Sequence, residues 1–239
     1  MPTLAETVPP VSTAWGLPPA ERTVTKRGRW SDRAQLDPHA ADGSDIVPRV
    51  RSALLQAAAP VRVTALAALV VGLEWSRVLA LRAPGLWGLQ GLTLLAGGAA
   101  LCLLAAGRRP EELGLGSSHL GGRLLGGVAL AAVLLLPAAA RWGGGPGLAP
   151  ALGVAAVAVS VGEEVAFRGV LFAAIEEPYG PAAAVLGSTA AWTLAHVLSH
   201  PAPFLPVVTA AGLLLGAWRW AARDLVGPIV GHALADVAL

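Results

Sequence analysis

The sequence predicts an all-α protein, a polytopic transmembrane bundle of about seven helices preceded by a disordered N-terminal tail. Two observations on the whole chain predict this class: 55% of its 239 residues are hydrophobic and only 13% are charged, and the mean hydropathy is +0.63. A soluble domain of this length rarely has such a composition. A third observation is that several apolar runs reach the roughly 18 residues that a helix needs to cross a bilayer.

The chain divides into a tail, residues 1–52, and a transmembrane domain, residues 53–239. The tail is rich in proline and charge and shows no sustained helical or strand period, which is typical of disordered chain. It has no contiguous apolar region near Met1, so we expect no cleavable signal peptide. Its basic residues precede the first apolar run, so the positive-inside rule predicts that the N-terminus lies in the cytoplasm. We expect the protein in the cell membrane. These basic residues are Arg22, Lys26, Arg27, Arg29, Arg33, Arg49 and Arg51.

Each of the seven apolar runs is bounded by charge, proline or glycine, which are common at the ends of membrane helices. Pro84 follows the first run, Arg108 follows the second, and Pro178 opens the turn after the fourth. Glu74 and Arg77, late in the first run, are expected at the far membrane interface. The runs are 61–81, 86–106, 121–140, 150–177, 181–200, 207–223 and 225–239.

The fourth run carries the most informative stretch of the chain, Gly162-Glu163-Glu164-Val165-Ala166-Phe167-Arg168-Gly169. A charge at the centre of a membrane helix costs at least roughly 2.5–3.5 kcal/mol, so such residues usually face a bundle interior or a water-filled cavity. Glu164 and Arg168 are i,i+4 neighbours and are expected to form a structural ion pair. Glu163 has no partner in its own helix, which indicates a functional site.

His196 in the fifth run, with His232 and Asp236 in the seventh, is expected to share that site. At about 1.5 Å per residue, Glu163 and His196 lie roughly 20–22 Å from the turn between their helices, so antiparallel packing brings them to one level. A carboxylate beside a histidine is suited to removing a proton from water. A second histidine can donate a hydrogen bond to a developing oxyanion. No serine or cysteine stands in a nucleophile-like context, so the pattern indicates hydrolysis of an acyl bond by water, most simply of a peptide bond.

These residues form three motifs in chain order, on successive apolar runs. They resemble the EExxxR, FxxxH and HxxxN patterns of the CPBP intramembrane proteases, a family that includes the type II CAAX prenyl endopeptidases and the bacterial Abi-type proteins. The resemblance covers about Arg108 to Leu239, and its loop Arg109–Leu115 resembles the segment commonly found before the first motif. The motifs are Glu163-Glu164-x-x-x-Arg168, Trp192-x-x-x-His196 and His232-x-x-x-Asp236.

The resemblance implies that Glu163 activates the water with help from His196, and that His232 and the Asp236 position stabilise the oxyanion. It also implies a substrate that is a peptide or the C-terminal tail of a protein, including lipidated tails. The residues that the resemblance gives a supporting role, maintaining the shape of the site, are Glu164, Arg168 and Trp192.

The sequence departs from the family pattern at two positions. Trp192 stands where the family has Phe, which preserves an aromatic wall. Asp236 stands where the family has Asn, and an ionised aspartate accepts hydrogen bonds but cannot donate one to an oxyanion. Three roles stay open for Asp236: donation if burial keeps it protonated, orientation of His232, or metal ligation.

A zinc-dependent version of the protease is an alternative, with Glu163, His196 and His232 as ligands. His196 and His200 also have the i,i+4 spacing of zincin histidines, but the glutamate that should follow the first histidine is Val197 here. The sequence therefore favours metal-independent hydrolysis and no cofactor.

The sequence leaves two other function classes to consider. A non-catalytic membrane scaffold or immunity protein would have the same helices, and only the behaviour of site variants separates it from a protease. A transporter would require internal repeats, and the sequence shows none at a fixed period. The net charge of +2, without a basic patch interleaved with aromatic residues, does not indicate nucleic-acid binding. The partners expected are the lipid bilayer and a protein substrate.

Overall fold

The computed structural model describes residues 58–116, 118–139 and 149–238. The predicted tail, residues 1–52, lies outside the described residues, as do residues 140–148 at and after the end of the third predicted run. Within the described ranges the chain is helical and contains no strand, so the predicted all-α class is confirmed. The helices are α1 Ala59–Arg82, α2 Gln90–Leu103, α3 Leu120–Ala139, α4 Pro150–Glu164, α5 Phe172–Ala195, α6 Leu205–Ala222 and α7 Val226–Ala238.

The protein is an integral membrane protein by the length and composition of its helices. In the described part of the chain, four segments are long and apolar enough to cross a membrane: Ala59–Arg82, Leu120–Pro137, Pro150–Leu198 and Ala202–Ala222. The second predicted run is shorter than expected, because residues Pro84–Leu89 form a 3₁₀ helix and leave only α2 as regular helix. Large apolar side chains such as Leu103, Leu125 and Val154 stay exposed, as a lipid-facing surface requires.

Helices α4 and α5 follow each other without a loop, and the segment Pro150–Leu198 is interrupted at Gly180, inside α5. A π-helical turn, Val165–Leu171, joins them. A π turn adds about one residue to a turn of helix, and such turns are frequent at functional sites. Further on, Gly180 has φ 81° and ψ 172°, a conformation that essentially only glycine adopts. The chain therefore changes direction inside the turn predicted between Pro178 and Pro181.

Glycines allow the helices that carry the polar stretch to approach very closely. Gly162 of α4 faces Gly98 of α2, and a Cβ added to Gly162 would lie 2.5 Å from the Gly98 carbonyl oxygen. On α6, a Cβ added to Gly212 would lie 2.9 Å from side-chain atoms of both Thr189 and Trp192. Small residues at such crossings let membrane helices pack backbone to backbone. The α2–α4 crossing therefore fixes the position of Glu163, the residue after Gly162.

Replacing Gly162 by Ala is expected to lower the free energy of unfolding by about 1–3 kcal/mol, because the added methyl group overlaps the α2 backbone and forces the helices apart. Gly153→Ala, on the same helix with nothing within 4 Å of the added Cβ, is the matched control. It should leave stability unchanged or raise it by about 0.5–1 kcal/mol through helix propensity. Thermal unfolding in detergent measures both, and equal midpoints for the two variants would contradict the close crossing.

Candidate active site

A cavity of about 290 Å³ lies inside the bundle and receives side chains from α1, α3, α4, α5, α6 and α7. Its walls combine aliphatic side chains such as Val159, Val208 and Leu215 with a group of polar residues. Five residues of the three motifs line it: Glu163, Trp192, His196, His232 and Asp236. The structure therefore brings residues of all three motifs to one cavity.

The carboxylate of Glu163 is only 3% exposed and is held by groups from two other helices. Its Oε2 accepts a hydrogen bond from Trp192 Nε1 at 3.0 Å, and its Oε1 forms an ion pair with Arg77 Nη2 at 3.1 Å. His196 Nε2 lies 3.6 Å from Oε2, which is longer than a direct hydrogen bond. Catalytic contacts are often long before substrate binds. Glu163 thus lacks a partner in its own helix, as predicted, but has partners in α1 and α5.

His196 directly follows the end of α5, and the chain sets the orientation of its ring. Its Nδ1 lies 2.8 Å from the Trp192 carbonyl oxygen, and a carbonyl can only accept, so Nδ1 carries the proton and donates. In the neutral ring this leaves Nε2, the nitrogen that faces Glu163, as an acceptor. The ring also meets the Trp192 indole edge-on, with 4.5 Å between ring centroids. His196 is therefore oriented to take part in proton transfer with Glu163.

His232 lies between two carboxylates. Its Nδ1 donates to Glu164 Oε1 at 2.9 Å, and its Nε2 lies 3.4 Å from Asp236 Oδ2. Asp236 Oδ2 in turn accepts a hydrogen bond from Ser160 Oγ of α4 at 2.7 Å. Of the three roles left open for Asp236, these contacts fit orientation of His232 best, because the carboxylate is placed against the ring nitrogen that Glu164 does not hold.

Glu164 and Arg168 connect the helices around the cavity. Both side chains are 0% exposed, and Arg168 Nη1 donates to Glu164 Oε1 at 3.0 Å. The Arg168 guanidinium also lies over the Trp192 ring, 4.3 Å from its centroid, and Nη2 donates to the Gly212 carbonyl oxygen at 3.4 Å. Glu164 Oε1 is therefore shared by Arg168 and His232, and the pair connects α4 and the π turn to α5, α6 and α7.

The start of α7 is fixed by a hydrogen-bonded cap and by the loop before α3. Asp224 caps the helix, accepting from Val226 N at Oδ1 and from Gly227 N at Oδ2, both at 2.9 Å. Leu225 N donates to the Gly114 carbonyl oxygen at 3.0 Å. Gly114 belongs to the Arg109–Leu115 loop noted in the sequence. This loop therefore helps to place the helix that carries His232.

The sequence predicted Glu74 and Arg77 near the membrane interface, and in the structure Glu74 is buried in the bundle and Arg77 lines the cavity. Glu74 is 2% exposed, and Arg77 pairs with both Glu74 and Glu163. The sequence did contain a signal, since the two residues form an i,i+3 acid–base pair inside an apolar run, as Glu164 and Arg168 do at i,i+4. The contact of Ser160 with Asp236 was also missed, because Ser160 stands alone in its run.

In the structure, other groups contact each of the three candidate zinc ligands. Among the described residues, no group of three or more His, Cys, Asp and Glu side chains is arranged to hold a metal ion. The Glu163 carboxylate already has the Arg77 guanidinium against one oxygen, and a cation bound there would be repelled by it. His232 donates Nδ1 to Glu164 and directs Nε2 to Asp236. The site thus suits acid–base chemistry of its own side chains.

The fold and the cavity define a helical integral membrane protein with a buried centre of acid, base and aromatic side chains. A family model described as type II CAAX prenyl endopeptidase Rce1-like matches residues 145–238, the part of the chain that carries all three motifs. This match confirms the resemblance to the CPBP family of proteases. Searches of curated proteins and of solved structures found no match.

Proposed function

We propose that the protein is an intramembrane endopeptidase in which Glu163 activates water for hydrolysis of a peptide bond in the cavity. The observation that carries the proposal is that the buried Glu163 carboxylate lies 3.6 Å from His196 Nε2 at the wall of the cavity. The family match supports a protease, since the matching model describes endopeptidases.

In the proposed reaction, Glu163 takes a proton from water as the water oxygen attacks the substrate carbonyl carbon. The carbonyl oxygen becomes an oxyanion, which the imidazolium form of His232 stabilises by donating from Nε2, with Asp236 orienting the ring. The C–N bond then breaks, and the proton passes to the leaving amine nitrogen, with His196 assisting its transfer. Glu164, Arg168 and Trp192 keep these groups in place, and no atom beyond water and substrate is needed to balance the reaction.

The proposed substrate is a peptide or the C-terminal tail of a membrane-associated protein, including a lipidated tail. Support comes from the family match and from the apolar walls of the cavity, which suit apolar substrate groups. We also propose the cell membrane as the location, with the N-terminus in the cytoplasm. That orientation rests on the basic residues before the first helix.

The proposed hydrolysis needs no metal ion, so it should be insensitive to chelators. Treatment with a strong chelator is expected to leave cleavage unchanged, because Glu163, already paired with Arg77, acts without a cation. Loss of cleavage under chelator, with recovery on adding zinc, would contradict this and favour the zinc-dependent alternative.

The proposal is tested by incubating the purified, detergent-solubilised protein with a fluorogenic peptide library that includes farnesylated C-terminal peptides. Cleavage by the wild type that is lost in Glu163→Gln supports a glutamate-based hydrolase. Equal cleavage by Glu163→Gln would refute it. If no sample cleaves any peptide, and Glu163→Gln and His196→Ala rescue a deletion phenotype as well as the wild type does, the scaffold alternative replaces the protease.

A further inference from the structure

We propose that Arg77 of α1 is a positioning residue for Glu163, holding its carboxylate in the orientation that accepts a proton from water. The inference rests on the proposed role of Glu163. Arg77 lies outside residues 145–238, the segment that the family model matches, and belongs to none of the three motifs.

The contacts of Arg77 and Trp192 fix both oxygens of the Glu163 carboxylate. Arg77 Nη2 lies 3.1 Å from Oε1, while Trp192 Nε1 donates to Oε2 at 3.0 Å. The two donors come from different helices, α1 and α5, so the carboxyl group cannot rotate without losing one of them. The remaining lone pairs are free to accept a hydrogen bond, and then a proton, from a water molecule. A base held in this way needs no reorganisation when the proton is transferred.

Glu74 holds Arg77 in turn. Arg77 Nε donates to Glu74 Oε2 at 3.1 Å, and Nη2 contacts the same oxygen, so one guanidinium nitrogen is shared between the two carboxylates. Glu74 is 2% exposed, and a buried carboxylate of this kind requires a counter-charge. With both carboxyl groups ionised, the trio of Glu74, Arg77 and Glu163 carries one net negative charge. Arg77 can therefore orient Glu163 without cancelling the charge that a base requires.

Helix α2 is shaped to leave room for the stem of Arg77. A Cβ added to Gly97 would lie 2.5 Å from Arg77 Cδ and 2.9 Å from Cγ. Any side chain at this position would displace the stem and, with it, the guanidinium. A substitution at Gly97 can therefore move the Arg77 guanidinium without changing any charge. Such a variant tests where the guanidinium lies, whereas Arg77 variants test whether it is needed at all.

The first test compares steady-state kinetics of Arg77→Met and Arg77→Lys with the wild type on a cleaved peptide. Because a small misplacement of a catalytic group costs about 10²-fold, Arg77→Met is expected to lower kcat about 10²-fold with KM little changed. Arg77→Lys keeps the charge beside Glu163 and should recover at least part of this loss. Arg77→Met leaves the buried Glu74 carboxylate without its partner, which can destabilise the protein. The double variant Glu74→Gln/Arg77→Met removes that unpaired charge and is measured beside it.

Gly97→Ala provides an independent arm, with Gly91→Ala as its matched control on the same helix, where an added Cβ meets nothing within 4 Å. Gly97→Ala should lower kcat in the same direction as Arg77→Met, and Gly91→Ala should behave as the wild type. All values are expressed per folded protein, measured by monodisperse elution in detergent.

Two results would overturn the positioning role. If KM rises while kcat stays constant, Arg77 contacts substrate instead, and if kcat per folded protein is unchanged in every Arg77 variant, Arg77 only supports the fold. Full activity of Arg77→Met beside an inactive Glu163→Gln removes this inference and leaves the proposed function intact. Full activity of Glu163→Gln removes the proposed function, and the positioning role with it.

Discussion

Replacing Glu163 by Gln is expected to lower kcat/KM by about 10²–10⁴-fold, the contribution of a general base, while the protein stays folded. The amide cannot take a proton from water, although it has nearly the same shape. Folding should survive because Arg77 still has Glu74 as its counter-charge, so no buried charge is left unpaired. Trp192 Nε1, which now donates to Oε2, can donate to the amide oxygen instead.

Peptide cleavage measures the loss of kcat/KM, and thermal unfolding of the same preparation measures whether the variant stays folded. Glu163→Asp is the matched control, since it keeps the charge but withdraws it by one methylene, and it should lose about 10²-fold through misplacement alone. Cleavage by Glu163→Gln within tenfold of the wild type would show that Glu163 is not the base. A strongly lowered unfolding midpoint would show that Glu74 does not compensate Arg77 as the contacts indicate.

Replacing Arg168 by Met is expected to lower the free energy of unfolding by about 3–5 kcal/mol, because it removes one partner of a buried ion pair. Glu164 is 0% exposed and would keep His232 as its one polar partner among the described residues. The cation–π contact with Trp192, 4.3 Å from the ring centroid, and the bond to the Gly212 carbonyl oxygen are lost as well. One substitution therefore removes contacts to three helices around the cavity, α4, α5 and α6.

Unfolding in a graded detergent or denaturant series measures this loss. The double variant Glu164→Leu/Arg168→Met is the control, and it should recover a large part of the stability, since apolar pairs replace buried ion pairs at little cost. It should nevertheless stay inactive, because His232 loses the carboxylate that holds Nδ1. An Arg168→Met variant as stable as the wild type would mean that the pair contributes little to the fold.

Much of the fold followed from the sequence because membrane helices need long apolar runs. The runs predicted at 61–81 and 121–140 match α1 and α3 within two residues at each end. The π turn was not predicted, since an i→i+5 hydrogen bond replaces i→i+4 with no change in the apolar pattern. Gly162 and Gly98 were likewise not recognisable as a crossing, because glycine is common throughout membrane helices.

The candidate site was predicted where its residues formed spaced motifs and missed where they did not. Glu163 and His196 could be aligned by counting residues from one turn, because the same turn joins their helices. Arg77 could not, since an acid–base pair late in an apolar run suits the membrane interface as well as the bundle interior. Choosing between these environments requires knowing which helix packs beside α1, and a single sequence does not contain that information. The catalytic roles of the site residues stay predictions.

The α2–α4 crossing has a consequence for how this protein can be divided. Sequence similarity marks residues 145–238 as a unit, yet the backbone of Gly162 inside that unit rests on Gly98 outside it. Val70 and Val71 of α1 belong to the same buried core as Phe167 and Leu171. A shortened chain that starts at the similarity boundary would lose one wall of its own interior. The smallest autonomous folding unit therefore has to begin before α1, well ahead of the first recognisable motif.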